Sequence, residues 1–79
     1  MYTIITRNQC NFCDDAKAMM DGAGIQYMSY NVQSESSKWL LDLILKAGYK
    51  TVPQIWNSNG DHIGGYTELK QYLLEGKHG

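Results

Sequence analysis

The chain has 79 residues, with seven basic against eight acidic side chains and a formal charge of −1. It therefore has room for one domain, near the size at which a single hydrophobic core only just offsets chain entropy. No basic cluster could track a phosphate backbone and no run approaches the ~20 apolar residues of a membrane span, so neither nucleic acid nor a membrane is an expected partner.

Residues 2–6, Tyr2-Thr3-Ile4-Ile5-Thr6, are aromatic and β-branched and predict a first strand with Ile4 and Ile5 buried. Arg7 to Asn11 reads as a loop. From Phe12 the apolar positions Phe12, Ala16, Met19, Met20 and Ala23 form a helical face that Gly22 and Gly24 bring to a stop, with Cys13 in the first turn. Residues 27–32 return to a strand, and Ser34 to Ser37 offer several N-caps for a second helix over residues 37–47, ended by Gly48. The apolar residues of its Trp39-Leu40-Leu41-Asp42-Leu43-Ile44-Leu45 segment reach further round than one buried stripe requires, so some of them are expected to be exposed. A broad core helix packed under a loop is the favoured account, and a docking patch for a protein substrate is the rival.

Residues 52–56 predict a third strand, and Asn59-Gly60 predicts a tight hairpin in which both central residues take positive φ, pairing His62-Ile63-Gly64 antiparallel. Thr67 is the expected cap of a last helix through Glu75, with Leu69, Tyr72 and Leu73 inward and residues 76–79 as a frayed tail. The order β-α-β-α-β-β-α predicts an α/β fold: a right-handed parallel unit extended by an antiparallel hairpin into a mixed four-stranded sheet, with helices on both faces.

Cys10-Asn11-Phe12-Cys13 holds the only two thiols, placed where a helix begins. Unpaired backbone N–H groups there favour a thiolate, so one sulfur can attack while the other resolves; the Cys10 sulfur is expected to lie open to water. Two inert buried cysteines or a zinc half-site are the plainer alternatives, but zinc needs four ligands, and His62 and His78 are not closely paired. With no signal peptide in residues 1–7 and too few cysteines for a secreted disulfide framework, the expected setting is the reducing cytoplasm. Arg7, three residues before Cys10, suits a thiolate or a carboxylate, while Asp14 and Asp15 oppose a thiolate. Pro53 fixes its own φ and removes an N–H from the strand; by general frequency its bond is trans. Gly64-Gly65 admits a close ligand beside the N-terminus of the last helix, an anion site in waiting.

Three motifs in this order resemble the glutaredoxins: the Cys10/Cys13 pair opening a helix, Thr51-Val52-Pro53-Gln54-Ile55, and His62-Ile63-Gly64-Gly65-Tyr66-Thr67. The likeness covers nearly the whole chain. It implies a thioredoxin fold, a monomer, and glutathione-dependent thiol-disulfide exchange with Cys10 attacking and Cys13 resolving. It also implies a cis Val52–Pro53 bond that turns the Val52 N–H and C=O outward. Glutathione, as reducing cosubstrate, would bind at Arg7, Phe12, Thr51, Val52, Pro53, Gly65, Tyr66, Thr67 and Glu68, with no metal. Disulfide-containing proteins, ribonucleotide reductase among them, would be the clients. Asn11 and Phe12 depart from the Pro and Tyr that many members carry between the cysteines, which leaves open a subunit-bridging iron-sulfur cluster. The redox rival is a thioredoxin-like donor recycled by a flavoprotein reductase, against which the residues from Gly64 to Glu68 speak.

Overall fold

The structure, a computed structural model, describes residues 1–76; residues 77–79, with His78 and most of the expected tail, lie outside the described residues. Strand β1 (Tyr2–Thr6) leads to helix α1 (Asn11–Gly22), strand β2 (Tyr27–Asn31), a 3-10 turn (Glu35–Ser37) and helix α2 (Trp39–Lys46). Strands β3 (Gln54–Trp56) and β4 (His62–Gly64) and helix α3 (Tyr66–Leu74) complete the chain. The sheet order is β2-β1-β3-β4, with β1 and β2 parallel and the other pairs antiparallel. This is the mixed sheet of the thioredoxin fold.

Side chains alternate across a strand, so neighbours in β1 serve opposite faces. Tyr2 and Ile4 join Ala16, Met20, Ile55 and Leu69 beneath α1 and α3. Ile5 turns the other way, onto Val32, Leu40 and Ile44 beneath α2. Ile4, Met20, Ile55 and Leu69 are fully buried, each contributing about 1.5–3 kcal/mol of apolar transfer. Among the described residues no helix is long and apolar enough to cross a membrane.

Several boundaries differ from the sequence expectations, each for a local reason. α1 begins at Asn11, because Cys10 itself caps it. Its buried stripe is Cys13, Ala16 and Met20, which rotates Phe12 out to 60% exposure and leaves Ala23 exposed at the C-cap. α2 begins at Trp39 rather than Ser37, and no serine side chain caps it. The Ser34 hydroxyl is spent on the carbonyl of Asn31 at 2.8 Å, and the 3-10 turn intervenes. Only Leu40 and Ile44 of α2 are buried. Trp39, Leu41, Leu43 and Leu45 are exposed, so the broad core helix is not what forms.

β2 stops at Asn31 and β3 starts at Gln54, since Pro53 has no N–H to give a ladder. The hairpin is not the two-residue turn expected: Gly60 has φ +86° but Asn59 does not take positive φ. Asn57 closes the loop instead, its Oδ1 accepting the N–H groups of Asn59 and Asp61, both at 2.9 Å. α3 starts at Tyr66 with Gly65 as its N-cap, so Thr67 is not the cap. The Gly65 N–H donates to Glu68 Oε1 at 2.7 Å, the reach-back half of a capping box.

Candidate active site

Three pieces of chain meet at the C-terminal end of β1: the turn into α1, the segment before β3 and the start of α3. The first turn is tight. Gln9 takes φ +54°, the left-handed region, and reverses the chain into Cys10. The loop is tied to the end of β2, because the Asn8 N–H donates to Gln33 Oε1 at 2.6 Å and Asn31 Nδ2 donates to Asn8 Oδ1 at 2.7 Å. Sequence reasoning missed this polar tie, whose members are far apart in the chain, and missed Gln9, a residue type with no preference for positive φ.

Cys10 is extended at φ −119°, ψ 101°, and its Sγ accepts the Cys13 N–H at 3.1 Å. The sulfur thus stands where a side-chain oxygen caps most helices, facing the orphan N–H groups and positive end of α1. Cys10 and Cys13 are joined in a disulfide with Cα atoms 5.2 Å apart. Cys10 is 7% exposed and Cys13 1%, so the outer sulfur belongs to Cys10, and it is less open than the sequence suggests. The segment Thr51-Val52-Pro53 closes over it, with the Val52 carbonyl oxygen 3.9 Å from Cys10 Sγ. The Val52–Pro53 bond is cis, as the resemblance implies.

Beside the disulfide runs a groove of about 250 Å³. Thr51, Val52 and Pro53 line one side, and Gly65, Tyr66, Thr67 and Glu68, from the N-terminal turn of α3, line the other. Phe12 and Tyr66 stack at the rim with ring centroids 6.0 Å apart. A Cβ at Gly65 would stand 3.4 Å from the Pro53 carbonyl oxygen, in contact across the groove. Glu68 borders the groove while its Oε1 is engaged by the Gly65 N–H. Of the residues singled out from sequence, Arg7 is not in this groove. It lines an adjoining hollow of about 310 Å³ with Lys50, Leu41, Leu45 and Tyr49, and Thr51 and Val52 border both spaces. Lys50, a second cation there, was missed because nothing in its sequence neighbourhood marks it. Asp14 and Asp15 are exposed on α1.

The arrangement can carry thiol-disulfide exchange. Reduced, Cys10 would present a sulfur whose anionic form the helix N-terminus favours, and Cys13 lies within bridging distance behind it.

Residues 2–63 match the family model described as Glutaredoxin. The chain is 32% identical over 76 residues to glutaredoxin 3 of Escherichia coli, an alignment covering 96% of this chain and 87% of that protein. The structure of glutaredoxin 1 from Francisella tularensis, complexed with cacodylate, superposes with a TM-score of 0.75 at 28% identity, covering 94% of this chain and 92% of that one. A buckwheat glutaredoxin-glutathione complex has the same fold, with a TM-score of 0.80 at 24% identity over 96% of this chain and 70% of that one.

Proposed function

This chain belongs to the glutaredoxin family and is a thiol-disulfide oxidoreductase, and we propose that its reaction is glutathione-dependent reduction of protein disulfides and glutathione mixed disulfides. The observation that carries the proposal is the groove beside Cys10, bounded by an extended main-chain wall and a helix N-terminus. An extended peptide can pair with the Val52 main chain, and a carboxylate suits the free N–H groups at the start of α3. Glutathione offers both, and its thiol would then reach Cys10. In this reading Phe12 and Tyr66 flank the ligand, Thr67 adds its hydroxyl, Glu68 offsets the ligand's ammonium, and Arg7 answers the glycine carboxylate across Thr51.

In the two-thiol route the Cys10 thiolate attacks one sulfur of the client disulfide. The client S–S bond breaks, its other sulfur leaves as a thiolate and takes a proton from solvent, and a Cys10 mixed disulfide remains. Cys13 loses its proton and attacks Cys10 Sγ, which releases the second client thiol and leaves the Cys10–Cys13 disulfide. One glutathione thiolate then attacks Cys10 Sγ and frees Cys13; a second attacks the resulting mixed disulfide, giving glutathione disulfide and reduced enzyme. With a glutathionylated client, glutathione alone can clear the Cys10 adduct and Cys13 is not needed. Ribonucleotide reductase is the protein client proposed from the family resemblance.

Turnover of a glutathionylated peptide coupled to glutathione reductase tests this. Cys10→Ser should abolish activity, while Cys13→Ser should keep deglutathionylation and lose reduction of protein disulfides. Equal loss in both variants would contradict the assigned roles. Recycling by thioredoxin reductase with no response to glutathione would favour a thioredoxin-like donor instead.

A further inference from the structure

Gln54 is only 6% exposed, and both ends of its amide are engaged. Its Nε2 donates to the Thr51 carbonyl oxygen at 2.9 Å and lies 3.3 Å from Thr51 Oγ1. A backbone carbonyl can only accept, so the nitrogen end faces Thr51 and the oxygen end faces away. There His62 Nε2 stands 2.7 Å from Gln54 Oε1. An amide oxygen also only accepts, which places a proton on His62 Nε2 whether the ring is neutral or charged. The imidazole is in turn braced by aromatic rings, with centroids 4.6 Å from Tyr49 and 5.0 Å from Trp56. His62 opens the edge strand β4, Trp56 closes β3 and Tyr49 follows α2. The Tyr49 and Trp56 rings therefore hold the imidazole that meets this amide, and the amide grips the segment shared by the groove and the adjoining hollow.

We propose that Gln54, oriented by His62, is a positioning residue that holds Thr51-Val52-Pro53 in place against Cys10. It touches neither sulfur nor substrate and acts through Thr51. A wall fixed before the substrate arrives spares the ordering cost that a loose segment would levy on binding. The inference rests on the proposed function only for the substrate that reads it out.

Three variants test it. Gln54→Met keeps the length of the side chain and removes both polar ends; His62→Phe keeps a ring between Tyr49 and Trp56 and removes the donor; His62→Gln restores an N–H donor. The first two should raise KM for a glutathionylated peptide about tenfold, the effect of one lost hydrogen bond of ordinary strength, with kcat little changed. Alkylation of Cys10 by iodoacetamide in the reduced protein should be no slower than in wild type in both, because the α1 N-terminus that favours the thiolate is untouched and the segment over the sulfur is only loosened. The NMR order parameter of the Val52 amide should fall. The double variant should be no worse than the worse single one, and His62→Gln should recover most of the KM.

Should Gln54→Met fail to fold, His62→Phe at the exposed edge strand still decides the matter. An unchanged KM in His62→Phe, or a loss shared equally by kcat and alkylation, would overturn the proposal. If the wild type left the glutathionylated peptide untouched, the glutathione reading would fail. The clamp would then stand or fall on the Val52 order parameter in the same variants.

Discussion

At Gly64 the backbone has φ +124°, and a Cβ built there would lie 2.7 Å from Cγ of Glu68 and 2.8 Å from its Cβ. Neither neighbour is the free end of a side chain, so Glu68 would have to leave the cap it makes on Gly65. Gly64→Ala should therefore cost about 1–3 kcal/mol of stability, read as a lower denaturation midpoint. Gly65 has φ −96°, and its nearest contacts, 3.3 Å to Glu68 Oε1 and 3.4 Å to the Pro53 carbonyl, can yield. Gly65→Ala should be milder for the fold; equal midpoints in the two variants would refute this account. The pair was legible in sequence as a place of close approach, but which glycine is required by the fold was not. That depends on where the Glu68 side chain lies, and Glu68 is placed by a helix end whose cap lies two residues before the one the sequence suggests.

Among the elements, the β3–β4 hairpin is closed by a side chain rather than by the turn dipeptide. Asn57 Oδ1 takes two N–H groups, its Nδ2 donates to Tyr72 Oη at 3.2 Å, and its backbone N–H donates to the Asp61 carbonyl at 2.9 Å. Asn57→Ala should lower stability by about 1–2 kcal/mol through the two N–H groups left to water. A chemical-denaturation midpoint equal to that of wild type would show that solvent replaces the asparagine without loss. Asn59-Gly60 did announce a hairpin, because Gly60 needs positive φ there. The role of Asn57 was hidden because one residue type serves turns, caps and strand ends alike. The same ambiguity hid the cap of α1. Cys10 and Cys13 were plainly a motif, yet a sulfur is not the atom one expects to find accepting an N–H of the first helical turn.

Across the whole molecule, strand β1 is joined to helix α3 through Tyr2, buried among core side chains and hydrogen-bonded to Tyr72. Burial first, and then the charge and hydrogen bond of Tyr72, hold the Tyr2 hydroxyl above its ordinary value of 10.0. Tyr27, at the start of β2, is raised as well, by desolvation and then by Asp21. The neutral phenol is the form the folded state favours, so this stability is fully present below the unfolded pKa and is lost as pH rises through the folded one. Denaturation midpoints should hold between pH 7 and 9 and fall above about pH 10. Tyr2→Phe should fall less steeply; identical alkaline slopes would remove Tyr2 from the cause. The element order, the two core faces of β1 and the thiol pair followed from the sequence, because each rests on spacing along a short stretch of chain. Tertiary structure alone decided that Gln54 of β3, bonded to Thr51, is met by His62 of β4, that Arg7 stands in a hollow apart from the groove, and that Cys10 is nearly covered. Those depend on residues that meet only after the sheet has formed, and local propensity carries no record of such meetings.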